Sequence, residues 1–169
     1  MGPTIRMSTA HEVRASEYVD RPYERVSEIL RLDAIGVFQR ATASATARAR
    51  ALVSTMRTNL GPIELGAEVI VRITGVEEDR DAPLGPRTRL RMTWQASHRA
   101  ELFPKMQATL EACSLAPNET QLDFEGTYDP PFGVLGAAID AMIGHRIAQA
   151  AVHRFLEEIA ERLRVDAAP

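Results

Sequence analysis

The feature that most constrains this chain is a change of period near its C-terminal end. Before Tyr128 the residues alternate between apolar and polar; after Asp129-Pro130-Pro131-Phe132-Gly133 they do not. Pro130 and Pro131 lack the N–H that a β-ladder needs, so no central strand passes through them. From Val134 to about Arg164 there is no proline, and the only glycines are Gly136 and Gly144. Apolar residues fall at Leu135, Ile139, Met142, Ile143, Ile147, Ala151, Phe155, Ile159 and Leu163, mostly three or four apart. That spacing predicts one amphipathic helix. Roughly 31 residues at about 1.5 Å each would span about 46 Å. Such a helix can cross a whole sheet face.

The sheet it would cross is written upstream. His11 to Val19 alternates, with Val13, Ala15, Glu17 and Val19 on one side. Five more stretches read as strands: Arg48–Thr58, Ala67–Val76, Thr88–Ala96, Phe103–Cys113 and Thr120–Tyr128. Leu90, Met92 and Trp94 share one side of their strand, Met106, Ala108, Leu110 and Ala112 one side of theirs, and Leu122, Phe124, Gly126 and Tyr128 one side of the last. Period 2 places alternate residues on opposite faces. Strands joined by short loops pair antiparallel, and clean alternation means one wet face and one buried face. Glu77 to Pro86 reads as a polar loop, and Pro117-Asn118 as a turn. Between the first two strands, Asp20 is a candidate helix N-cap before Pro22. A short helix over Glu24–Leu30 follows, then a second near 34–41 that Gly36 weakens.

Length and composition bound the rest. At 169 residues, 45% hydrophobic and 25% charged, the chain fits one globular domain over 11–165 behind a flexible tail at 1–10. No signal-peptide core and no membrane-length apolar run occurs, so the expectation is a cytoplasmic protein with no integral membrane association. Cys113 is the single cysteine and has no internal disulfide partner. A net charge of -3 argues against nucleic acid as a partner. Arginine outnumbers lysine nineteen to one. Arg89 and Arg91 fall on the wet face, where Lys105, Glu111, Asp123 and Glu125 on neighbouring strands supply opposite charges.

The chemistry-bearing residues are few. Glu17 shares the apolar parity of its strand. It is either a carboxylate with a raised pKa that could act as acid or base, or a group turned to water or paired with an arginine. His98 follows the Trp94 strand, while His11, His145 and His153 read as surface histidines. Asp140 reads as structural, bonding the proline turn or Arg146. Tyr128 and Trp94 each bring a polar tip on an apolar body. No H-E-x-x-H, C-x-x-C, G-x-S-x-G or Gly-rich phosphate loop occurs, so no metal site and no cofactor are expected. The catalytic candidates are Glu17, His98 and Tyr128, with no catalytic constellation among them.

Two segments carry a family resemblance. Tyr18-Val19-Asp20-Arg21-Pro22-Tyr23-Glu24-Arg25-Val26 resembles the first strand and its turn into a helix in the START/Bet v 1-like superfamily. Gly126-Thr127-Tyr128-Asp129-Pro130-Pro131-Phe132-Gly133-Val134-Leu135-Gly136 resembles the last strand and the start of the long helix in many bacterial members. That superfamily includes polyketide cyclases and lipid-transfer domains. The resemblance implies an α+β helix-grip fold: a curved antiparallel sheet of six or seven strands around a long C-terminal helix, with two short helices after the first strand. It further implies a cavity for a small hydrophobic or amphipathic, lipid- or polyketide-like ligand. The residues that would line it are Val71, Leu90, Met92, Trp94, Met106, Ala108, Leu110, Phe124, Tyr128, Phe132, Ile139, Met142 and Ile143. Two other functions stay open. One is a cyclase- or dehydratase-like enzyme using a pocket acid or base. The other is a protein-partner module resembling activators of the Hsp90 ATPase. The chain would act as a monomer or a homodimer.

Overall fold

The computed structural model describes residues 10–38, 69–96, 105–128 and 145–168. Within them lie five strands: β1 (His11–Val19), β2 (Val69–Asp79), β3 (Arg87–Ala96), β4 (Met106–Ala116) and β5 (Glu119–Tyr128). Two helices accompany them, α1 over 23–38 and α2 over His145–Asp166. The architecture is α+β. The strands form one antiparallel sheet in the order β1-β5-β4-β3-β2. Five strands are described, against the six or seven expected; the expected strand at Arg48–Thr58 lies outside the described residues. So do the first eleven residues of the expected long helix.

The helical expectation after β1 needs correction. There is one continuous helix through residue 38, not two short ones. Val26, Leu30, Ala34, Val37 and Phe38 are all buried along it, so a single apolar stripe runs past the supposed break. Asp20 does not cap it. The first turn is closed by Pro22, whose carbonyl accepts from Arg25 N at 3.1 Å and Val26 N at 3.2 Å. The Asp20 carboxylate instead faces Arg21 at 3.4 Å and Arg164 at 3.5 Å.

β2 also runs further than its apolar residues suggested. It extends through Glu77, Glu78 and Asp79 because a register shift between Ile73 and Gly75 changes its phase. Beyond the shift, Glu77 sits opposite Arg89 and is ion-paired with Arg91 on the outer face, while Glu78 meets Arg31 of α1 at 3.4 Å. The charges that looked like a loop have strand partners. The chain then reverses at Gly85, whose φ of 98° suits glycine and whose N–H donates to Ala82 O at 3.0 Å. Pro117 and Asn118 make the two-residue turn from β4 to β5.

Register lines the inner face up in rows. Ala15, Phe124, Leu110 and Leu90 form a buried row across β1, β5, β4 and β3. Glu17, Leu122, Ala112, Thr88 and Glu78 form a second row, and each of its polar groups meets a helix. Thr88 Oγ1 lies 2.7 Å from both Tyr23 Oη and Ser27 Oγ of α1, all three residues being buried. Such satisfied buried hydroxyls fix α1 against β3. At the same end Arg164 of α2 donates to Tyr18 O at 2.5 Å and lies 3.9 Å from Glu17.

The outer face is the expected charge ladder. Arg14 pairs with Glu125 at 2.7 Å, and Ser16 Oγ donates to Asp123 at 2.6 Å. Arg87 and Arg89 both reach Glu111, at 3.3 and 2.9 Å. Cross-strand pairs of this kind stabilise the sheet and leave Arg14, Arg87 and Arg89 occupied.

Candidate functional site

One further row crosses all five strands: His11, Tyr128, Met106, Trp94 and Val71. It lies on the inner face, at the end of the sheet opposite Arg164. The neighbouring row, Val13, Gly126, Ala108, Met92 and Ile73, is lowest in its middle, where Gly126 and Ala108 contribute almost no side chain. Gly126 has no space for even a methyl group. A Cβ there would stand 2.8 Å from Met106 Sδ and 3.1 Å from Phe124 Cε1, so Met106 lies folded over it.

The helix above changes character along its length. In its second half Phe155, Leu156, Ile159, Ala160 and Leu163 are fully buried. In its first half Ala148, Ala150 and Ala151 are small and only half-buried, while Val152 is buried. The boundary is Phe155, whose ring sits 5.0 Å from Trp94, 5.7 Å from Phe38 and 5.8 Å from Phe124. That ring fills the centre of the space between sheet and helix. Beyond it, toward His145, the core residues Trp94, Val71, Ile73 and Ala148 are only partly buried. The partly exposed residues there are Trp94, Val71 and Ile73, while Met92, Ala108, Met106 and Tyr128 beside them are buried.

The polar groups of this end form a cluster. The His11 ring is 5.5 Å from Tyr128 and 6.3 Å from His145. Three buried side-chain nitrogens lack a hydrogen-bond partner among the described residues: Arg21 Nε, Arg87 Nε and His145 Nδ1. The two arginines bond through other nitrogens, Arg21 to Asp20 O at 2.7 Å and Arg87 to Glu111 at 3.3 Å. His145 Nδ1 has no such relief. Sequence reasoning passed over His11 and His145 as surface residues. The signal for His11 was present, since it shares the parity of Val13 and Ala15; His145 required the helix to be placed on the sheet.

The expected lining residues fall as follows. Val71, Leu90, Met92, Trp94, Met106, Ala108, Leu110, Phe124 and Tyr128 all lie on the inner face, spread over three successive rows. Leu90, Leu110 and Phe124 are in the filled part; Val71, Met106, Trp94 and Tyr128 are in the end row. Phe132, Ile139, Met142, Ile143 and His98 lie outside the described residues. Glu17 is at the far end, beside Arg164, three rows from Tyr128. It belongs to the contact between β1 and α2.

Two other features are distinct from this end. A solvent-open hollow of about 320 Å³ lies by the β2–β3 turn, lined by Glu77, Asp79, Ala82, Pro83, Leu84, Arg87 and Arg89. Its charges are mixed, and both arginines are engaged by Glu111. Cys113 sits beside that ladder, where burial first, and then the Glu111 charge, push its thiol up to about 11. A thiol so protonated is a poor nucleophile. Among the described residues no group of three or more His, Cys, Asp or Glu could hold a metal ion, and no helix is long and apolar enough to cross a membrane.

No protein-family model matches the chain, and no curated protein matches it. Solved structures do. A protein from Geobacillus kaustophilus is similar at 13% identity and a TM-score of 0.51, over 94% of this chain and 98% of that one. TTHA0849 from Thermus thermophilus is similar at 14% identity and a TM-score of 0.50, over 94% of this chain and 100% of that one. A START superfamily protein from Mycobacterium smegmatis is similar at 11% identity and a TM-score of 0.46, over 92% and 98%. At these identities the likeness to the first two is one of fold.

Proposed function

We propose that this chain uses its START/Bet v 1-like fold to hold one small apolar or amphipathic molecule at the His145 end of the space between sheet and α2. The observation that carries this reading is the step at Phe155. On one side the inner face is filled by large, fully buried side chains. On the other, Ala148 of α2 and the sheet residues Trp94, Val71 and Ile73 remain partly buried. A binding site is usually apolar with a few placed polar groups, and this end supplies both. Met106, folded over Gly126, is an adaptable side chain that can reshape around a guest.

Two measurements test it. Native mass spectrometry of freshly purified protein, followed by organic extraction, should show a stoichiometric small molecule. Stripped protein should show saturable changes in Trp94 emission when apolar and amphipathic compounds are titrated in, because Trp94 is the one tryptophan and lies in the end row. A clean apo mass, unchanged emission and no gain in melting temperature across such a panel would reject the reading.

A cyclase- or dehydratase-like activity at the same end draws on one observation, the Tyr128 ring beside His11 at 5.5 Å. Proton transfer there requires a hydrogen-bonded substrate oxygen. It predicts turnover of a bound polyketide-like compound that falls in Tyr128→Phe without loss of binding; equal turnover in both proteins would exclude Tyr128 as the acid or base.

A further inference from the structure

The end of the sheet away from His145 carries a surface of a different kind. There the β2–β3 turn and the β4–β5 turn lie side by side, with Ser114 N donating to Pro86 O at 3.2 Å. Both turns are apolar and exposed at their tips. Leu84 is 84% exposed and Leu115 53%, with Pro83, Ala116 and Pro117 exposed beside them. One exposed leucine needs no explanation, but Leu84 also edges the hollow of about 320 Å³. An apolar knob and a hollow floored by Ala82 and Pro83 thus share one small surface.

The charges around the hollow are sorted by strand. β2 contributes Glu77 and Asp79, β3 contributes Arg87 and Arg89, and register sets Glu77 opposite Arg89 and Asp79 opposite Arg87. Over 77–89, four carboxylates (Glu77, Glu78, Asp79, Asp81) stand against three guanidiniums (Arg80, Arg87, Arg89), so there is no basic surplus for an anionic lipid surface or a polyanion. A strongly basic partner would meet the arginines. The surface that fits has an acidic column and a basic column behind an apolar tip, and a second copy of this chain has both. A two-fold axis parallel to the hairpin strands lays β2 of each copy against β3 of the other. Acids then face arginines, and the two Leu84 side chains meet at the axis. Such a contact is isologous and closes at two copies.

We propose that two copies of this chain associate through the outer side of the β2–β3 hairpin, with Leu84 of each seated at the hollow of the other and Asp79 of each facing Arg87 of the other. Arg87 and Arg89 keep Glu111, at 3.3 and 2.9 Å. The exposed Asp79 carboxylate has Asp81 N, at 3.2 Å, as its one hydrogen-bond donor among the described residues, so it can turn to a second copy. A hairpin end offers less than the roughly 800 Å² per partner of a standard interface, so the dimer is a weak one that fills at micromolar concentrations and above. It uses the outer face and leaves the inner face of both copies untouched.

Sedimentation equilibrium of the full chain from about 1 µM to about 1 mM tests this, with the melting temperature of each variant as the check on folding. The unaltered protein should show a monomer–dimer equilibrium. Leu84→Asp should raise the dissociation constant at least about tenfold, because burying a leucine is worth more than a factor of ten. Asp79→Arg and Arg87→Asp should each weaken their own dimer by setting like charges together. An equimolar mixture of those two should associate again as a mixed dimer, since one copy then carries only arginines at the two positions and the other only aspartates. A protein that stays monomeric throughout the range overturns the assignment. So does a dimer unaffected by Leu84→Asp, or a mixture that associates no more tightly than its components. Should Arg87→Asp fail to fold, Leu84→Asp and Asp79→Arg decide the matter, both being substitutions at exposed positions.

Discussion

Replacing Phe155 by alanine is the sharpest test of how the interior is divided. The side chain is fully buried and makes ring contacts with Phe38, Trp94 and Phe124 at 5.7, 5.0 and 5.8 Å. Those three partners come from α1, β3 and β5, so the ring joins both helices to the sheet. Removing a buried phenylalanine costs about 3–5 kcal/mol, the loss growing with the cavity that stays open. Here the upper part of that range is expected, because each ring pair adds about 0.5–1.5 kcal/mol beyond area burial. In urea, at an m-value of about 2 kcal/mol/M, the midpoint should fall by about 2 M. The melting temperature should drop by roughly 8–16 °C for about 4 kcal/mol at this chain length. Trp94 emission reads both transitions and should shift to the red in the folded variant, since its nearest ring partner is gone. Phe155→Leu should lose much less. A fall below about 1.5 kcal/mol, with Trp94 emission unchanged, would mean that Phe155 does not fill the centre and that the division of the interior is wrong.

Three further outcomes follow from the same geometry. Tyr23→Phe removes the hydroxyl 2.7 Å from Thr88 Oγ1 and should cost about 1–2 kcal/mol in urea denaturation, because Thr88 keeps Ser27 as a partner; a neutral substitution would show that the bond is not made. Gly126→Ala places a methyl 2.8 Å from Met106 Sδ and should displace the Met106 side chain within the end row, weakening ligand-induced changes in Trp94 emission more than it lowers stability; the reverse pattern would separate Met106 from the site. Cys113, with its thiol raised to about 11, should be alkylated slowly near neutrality and faster as pH rises from 9.0 toward that value. Burial is the larger cause, so Glu111→Gln should accelerate alkylation only in part, and an already rapid reaction at pH 7 would refute the assigned environment. The sign also bears on folding. The folded thiol keeps its proton at a pH where the unfolded one loses it, so its contribution to stability is present below about 9.0 and is lost as pH rises through about 11.

What the sequence determined by itself is the identity of the faces. Alternation in His11–Val19, Thr88–Ala96, Met106–Cys113 and Thr120–Tyr128 placed Val13, Met92, Ala108 and Phe124 on one side and Arg14, Arg89, Glu111 and Asp123 on the other. The three-and-four spacing likewise placed Phe155, Ile159 and Leu163 on the stripe that faces the sheet. Both follow from local geometry, since the direction of a side chain repeats with the period of its own element. Register is different, because it depends on partners far away in the chain. Nothing near His11 says that it sits opposite Tyr128, or that His145 comes to lie 6.3 Å from it. The same is true of Glu17, whose parity pointed inward and whose fate was decided by Arg164 at the other end of the chain. Tertiary packing also carried α1 past Gly36, because one continuous apolar stripe was buried. It drew the acidic end of β2 into the sheet, because arginines on β3 and α1 stood ready to pair with it. Periodicity is a property of neighbours and can be read from neighbours; a row of side chains across five strands exists only once the strands have met.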